Sequence, residues 1–263
     1  MTRAVVKAVV VTVVLAVLAV GGYGVVRARA DSGGTTQPAA TPSFSPSNTT
    51  ATSASPAPFP RWQVAKAVKT VTAYRRPSTS AAVRETFATR NANGYPSLFL
   101  VRRVRQIGAI TWYDVWLPIR PNGSHGWMRE GSVAIFTTSA RIVIDLSARN
   151  LTVYRRGEQL GSFPVAIGTP QLPTPTGHFY VNQKLRPSVS GGPYGVLAIG
   201  ISAFQMRLPA SAWAQGGPVA IHGTNQPELI GQAISHGCVR MTNPAVLKVS
   251  AWVPSGSPVD IIP

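Results

Sequence analysis

The sequence predicts a mostly β protein carried behind an N-terminal membrane segment, and three observations support that prediction. Short runs rich in Val, Ile, Tyr and Trp recur from Trp62 to the C-terminus, separated by turn-forming Gly, Pro and Asn. Helical periodicity is scarce: one helix is well marked, with Asn243 as its cap, Pro244 in its first turn and its end before Pro254 and Gly256. Finally, the nineteen residues Ala8 to Val26 carry no charge. As a helix they would be about 28 Å long, close to the hydrocarbon thickness of a bilayer.

Residues 1–30 therefore read as a transmembrane helix acting as a signal anchor, or as a signal peptide cut after Ala28-Arg29-Ala30. The apolar run is long for a signal peptide, which favours the anchor. Arg3 and Lys7 before it nearly balance Arg27 and Arg29 behind it, so flanking charge leaves orientation open. Residues 31–60 are almost entirely Ser, Thr, Pro, Ala and Gly, a composition that cannot bury enough apolar surface to order itself. Their prolines make an extended spacer able to hold a domain tens of ångströms from a membrane.

Residues 61–136 form the first folded region, with strands expected at Val64–Tyr74, Leu98–Val104, Ile110–Leu117 and Gly126–Val133. Residues 137–263 form the second. Ile142–Leu146, Leu151–Tyr154 and Leu160–Ile167 read as a meander, followed by strands at Phe179–Val181, Val196–Ile201, Val219–Ile221 and Val259–Ile262.

The formal charge is +17, with a net of +9 in residues 61–136 and +5 in residues 137–263. A field of this sign favours an anionic partner, and the membrane segment argues against nucleic acid. The Arg102-Arg103-Arg105 cluster reads as a solvated strand face able to touch anionic polymers; His125 and His178 read as surface or structural residues. Cys238 is the single cysteine, so no internal disulfide is available and no lipid anchor on an N-terminal Cys.

A lone Cys is by itself most often a small buried hydrophobe. Its surroundings give this one a different reading. A cysteine nucleophile needs a base to form the thiolate and donors for the oxyanion it creates. His222 ends the apolar run Val219-Ala220-Ile221, and Cys238 follows sixteen residues later in Ser235-His236-Gly237-Cys238-Val239-Arg240. Gly237 permits an unusual backbone conformation beside the nucleophile. A zinc set of His222, His236 and Cys238 is the competing arrangement, with no carboxylate or second Cys close in sequence to complete it.

His222-Gly223-Thr224 with Ser235-His236-Gly237-Cys238 resembles the signature of YkuD-type L,D-transpeptidases. Ile144-Asp145-Leu146, Leu151-Thr152-Val153-Tyr154 and Thr174-Pro175-Thr176-Gly177 resemble that family's opening strands and turn. The resemblance covers roughly residues 140–263. It implies an L,D-transpeptidase-type β-sandwich, with no cofactor and no metal, acting on peptidoglycan stem peptides of bacterial walls. The reaction implied cuts a tetrapeptide stem before its terminal D-alanine through a Cys thioester. Passing the acyl group to an amine of another stem gives a 3→3 cross-link and makes the enzyme a carbapenem target.

Carried onto this chain, Cys238 is the nucleophile and His222 the base oriented by Gly223. The Gly237 and Cys238 amides hold the oxyanion, while Ser235 and His236 shape the site. Arg240 stands where some members carry Asn and is assigned to a substrate carboxylate; Tyr194 is assigned to a flap. Hydrolysis of the same thioester, an L,D-carboxypeptidase, uses the same residues, and an inactive wall-binding scaffold is the non-enzymatic alternative. Thr111-Trp112-Tyr113-Asp114-Val115 followed by Gly126-Trp127-Met128 resembles bacterial SH3-like wall modules, which implies a small β-barrel for residues 61–136. The location expected is outside the bacterial cytoplasmic membrane, anchored through residues 8–26 or released into the wall, with anionic wall polymers as further partners.

Overall fold

The computed structural model describes residues 59–189, 191–212 and 214–263. The membrane segment and all of the spacer but its last two residues lie outside the described residues. Seven strands form the first sheet: β1 (Trp62–Ala67), β2 (Val71–Tyr74), β3 (Val83–Phe87), β4 (Leu98–Ile107), β5 (Ile110–Trp116), β6 (His125–Arg129) and β7 (Val133–Thr138). Every pairing is antiparallel, in the order β3-β2-β6-β5-β4-β1-β7.

Two runs expected as single strands are broken. Val64–Tyr74 divides at Val68, whose N–H donates to the Ser132 carbonyl, and Gly126–Val133 divides at Gly131, where φ is +76°. The strand β3 had no apolar alternation to announce it, because it is an edge strand with four of its five residues exposed. Trp112 and Trp127 are buried, so these two aromatic side chains pack inward and leave little surface to grip a ligand. In the arginine cluster Arg103 and Arg105 are exposed, as expected of a solvated strand face, and Arg102 is half-buried. Arg102 and Arg103 both reach Asp114 Oδ2 at 2.9 Å, and His125 Nδ1 lies 2.9 Å from Asp114 Oδ1. Asp114 is fully buried, and a buried carboxylate of this kind persists because several donors share its charge.

The second sheet contains β8 (Ala140–Asp145), β9 (Asn150–Arg155), β10 (Glu158–Pro164), β12 (Gly177–Leu185), β13 (Ala198–Phe204), β14 (Pro218–His222), β16 (Val239–Arg240) and β17 (Pro258–Ile262). Their order is β10-β9-β8-β17-β12-β13-β14-β16; β11 (Ile167–Gly168) and β15 (Ala233–Ser235) pair separately. The helix α1 (Asn243–Trp252) touches both β9 and β14, which lie near opposite ends of the sheet order. Residues from those ends meet in one core: Leu151 and Val153 join Val219, Ile221, Val239 and Val246. A sheet whose ends share a core must curl on itself, and the molecule is thus mostly β. Asn243 does not cap α1; the cap position is Thr242, with no side-chain bond, and Asn243 is used elsewhere.

The two sheets pack within one compact unit of residues 55–263. Asn122 exchanges two bonds with the backbone of Phe204, at 2.8 and 2.9 Å, and Arg120 donates to the carbonyls of Gly216 and Leu208 at 2.8 and 2.7 Å. On another side Thr138 Oγ1 lies 3.0 Å from Ser257 Oγ, and Gly256 (φ +92°) sits against Val64. A Cβ at Gly256 would come 2.6 Å from Val64 Cγ1, so both the backbone and the space require glycine. Gly256→Ala is expected to lower stability by about 1–3 kcal/mol, measurable by denaturant unfolding, with an unchanged midpoint as the contrary result.

Candidate active site

Cys238 and His222 are brought together by the short parallel pairing of β14 with β16, which sets Ile221 opposite Val239 and His222 opposite Arg240. Continuing that register by one residue puts Cys238 opposite Ala220, and a backbone hydrogen bond from Ala220 reaches the thiol. Cys238, His222, His236, Arg240, Tyr194 and Ser235 all line one open cavity of about 910 Å³. The sequence-predicted residues thus converge, although they come from three separate segments.

Backbone chemistry shapes the loop that carries Cys238. Ser235, almost fully buried, donates its hydroxyl to the Cys238 carbonyl at 2.5 Å and accepts the Gly237 N–H at 3.1 Å. One hydroxyl therefore closes the turn from both sides. The Gly237 amide is occupied by that bond, so the oxyanion-donor role expected of it is not open to it in this structure. Gly237 serves the turn instead: its φ is +114°, and a Cβ there would come 2.6 Å from Gln205 Nε2.

Gln205 carries no sequence signal, yet it ties the loop down. From a buried position its Nε2 donates to the carbonyls of Pro173 and His236, at 2.9 and 3.1 Å. The Pro173–Gly177 turn is thereby linked to the backbone just before the nucleophile. His236 itself is exposed.

His222 is buried, and its Nδ1 lies 2.6 Å from the Gly223 carbonyl oxygen. A carbonyl only accepts, so Nδ1 carries the proton and Nε2 keeps its lone pair. Tyr194 packs across this imidazole with ring centroids 4.8 Å apart. The close approach depends on two glycines. A Cβ at Gly195 (φ +61°) would overlap Asn243 Oδ1 and come 2.5 Å from the Gly223 carbonyl carbon. Asn243 Oδ1 accepts the Val196 N–H at 3.2 Å, holding the Tyr194 loop beside the His222 strand end.

Burial pushes His222 down to about 4, helped by the positive charge of Arg240 and opposed by the Gly223 bond. Burial also pushes the Cys238 thiol up, against the Ala220 hydrogen bond and the Arg240 charge, which lower it. At neutral pH the resting pair is therefore a thiol beside a neutral imidazole, in keeping with the expectation that a thiolate at Cys238 needs a base to form it. Burial is the largest cause in both cases because each charged form would lose its hydration. Arg240 lines the cavity, and its buried Nε has no hydrogen-bond partner among the described residues. The described residues assemble no group of three or more His, Cys, Asp or Glu side chains, so His222, His236 and Cys238 do not form a zinc set there.

The family model for the YkuD L,D-transpeptidase catalytic domain matches residues 139–261. A Bacillus licheniformis protein bearing the name L,D-transpeptidase YkuD is 37% identical over 128 residues, covering 48% of this chain and 68% of the relative. The chain belongs to the YkuD L,D-transpeptidase family. A Bacillus subtilis protein of the same name is 34% identical over 127 residues, with the same 48% and 68% coverage. The solved structure of L,D-transpeptidase 3 from Mycobacterium tuberculosis, holding a faropenem-derived adduct, is similar at 17% identity. That match covers 59% of this chain and 91% of the other, with a TM-score of 0.41. The family match opens at residue 139, directly after β7 ends at Thr138, so the transpeptidase domain coincides with the second sheet.

The electrostatics yield a prediction for Arg240→Gln. Loss of the positive charge lets His222 keep its proton to a higher pH and makes the thiol harder to ionise. Both the His222 titration followed by NMR, about 4 in the native protein, and the thiol's alkylation profile with iodoacetamide should move to higher pH. Unmoved profiles would place the guanidinium field elsewhere.

Proposed function

We propose that the protein is a peptidoglycan L,D-transpeptidase in which Cys238 forms a thioester with a tetrapeptide stem. The observation that carries the reading is the state of His222: neutral, its Nδ1–H committed to the Gly223 carbonyl, its Nε2 open as a base in the cavity that holds Cys238. A part-buried thiol with a raised pKa needs such a base at the moment of attack.

Sγ attacks the carbonyl carbon of the stem's third residue while its proton passes to His222 Nε2. The Cys238 N–H stabilises the oxyanion that forms. Collapse breaks the C–N bond, and the amine of D-alanine leaves with the proton from His222. The side-chain amine of a second stem then attacks the thioester, giving up a proton to His222; the sulfur departs, regains a proton, and a 3→3 amide link remains. Arg240, a cation without a carboxylate partner among the described residues, suits a carboxylate of the substrate, and Tyr194 covers the imidazole against water. Residues 8–26 would tether the enzyme to the outer side of the cytoplasmic membrane. The strongly basic residues 61–136, read as an SH3-like module, would meet anionic wall polymers.

Incubation of the purified protein with a disaccharide-tetrapeptide should release D-alanine and build cross-linked dimers. Cys238→Ala and His222→Ala should each lower the rate by about a thousandfold or more while leaving the thermal transition in place. Release of D-alanine without dimers would mean hydrolysis by the same site; no release at all would contradict the reading.

A further inference from the structure

The catalytic cavity does not end at Cys238. Residues Gln183, Gly200 and Ala220 are direct partners across β12, β13 and β14, and Cys238 follows opposite Ala220. Side chains at directly paired positions point to one face. All four residues line the same cavity, which therefore runs as a trough across the strands from Cys238 to Gln183. At about 4.8 Å per strand the three steps cover about 14 Å, the span of about four extended residues. The floor between the ends is small by necessity: a Cβ at Gly200 would come 2.7 Å from Gln183 Cγ.

At the far end the trough meets the first sheet. Asn91 Nδ2 and Asn93 Nδ2 both donate to Gln183 Oε1, at 2.9 and 3.1 Å, and Asn93 Oδ1 accepts Gln215 Nε2 at 2.9 Å. The Asn91 Oδ1 in turn accepts the N–H groups of Asn93 and Tyr95, which fixes the loop that presents both asparagines. With Oε1 doubly occupied, the Gln183 amide has a defined orientation, and its Nε2 lies over the trough floor, 3.0 Å from where a Cβ on Gly200 would stand. Asn93 and Gln215 line the same cavity. Among the described residues that line the cavity, Asn93 is the one that comes from residues 61–136.

We propose that this seam is a distal subsite for the acyl-donor stem, in which Gln183 Nε2, oriented by Asn91 and Asn93 of the loop between β3 and β4, donates to a carbonyl oxygen at the sugar-proximal end of the stem, about 14 Å from the thioester carbon. The ligand class is the sugar-proximal end of a stem peptide, and the first sheet is a wall of the substrate site. The inference rests on the transpeptidase reading of Cys238.

The test is single-turnover acylation of Cys238, followed by intact-protein mass, in the native protein, in Gln183→Met and in Asn91→Ala/Asn93→Ala. Two acyl donors are used: a disaccharide-tetrapeptide, and a carbapenem too short to span the trough. Loss of one oriented hydrogen bond should raise the half-saturating tetrapeptide concentration about tenfold in both variants. The maximal acylation rate and the carbapenem rate should stay within about twofold. An unchanged tetrapeptide dependence in both variants would overturn the subsite, as would a parallel loss with both donors, which marks a merely structural role. A native protein acylated by neither donor would instead overturn the transpeptidase reading itself.

Discussion

The pairing of β16 with β14 is the constraint on which the rest of the site depends. Two residues of β16 are enough to set Arg240 opposite His222 and Cys238 opposite Ala220. Strand pairing in that register fixes which residues stand opposite one another, something a free loop would not do. The remaining features hold the short strand in place. The Ala166 N–H and carbonyl both bond Arg240 from its other side, Ser235 closes the turn before it, and Gln205 holds the carbonyl of His236.

A second layer of dependence runs through the segment between β13 and β14. It begins with Gln205, whose N–H bonds the Gly217 carbonyl, and its backbone is gripped by Arg120 and Asn122 of the first sheet. The first sheet is therefore more than a neighbour of the transpeptidase domain. It holds both flanks of the segment carrying the side chain that steadies the nucleophile loop. Electrostatics follow from the same geometry. Burial disfavours the charged forms of the thiol and the imidazole, and among the described residues Arg240 is the charge that acts on both.

Much of the catalytic end was legible in the sequence because its requirements are local. Gly237 had to be glycine for a backbone with φ +114°, and a His at a strand end sixteen residues before the Cys is a pattern of residue types. The long apolar strands of the second sheet announced themselves by burial on both faces, as Ala198–Ile201 does. What escaped was set by contacts remote in sequence. Gln205, Asn91, Asn93 and Gln183 are ordinary amides until the fold brings them together. Asn243 read as a helix cap because Pro244 follows it, yet its side chain serves the Val196 N–H. The upward push on the thiol has the same origin, since desolvation cannot be read from neighbours along the chain.

The most direct measurement of the central claim is the intact mass of the protein after brief exposure to a tetrapeptide stem, with peptide mapping of the adduct. The account predicts a single addition equal to the stem less its terminal D-alanine, located on Cys238 and removed by an amine acceptor. Turnover of the stem with an unmodified Cys238 at every time point, or an adduct on any other residue, would contradict it.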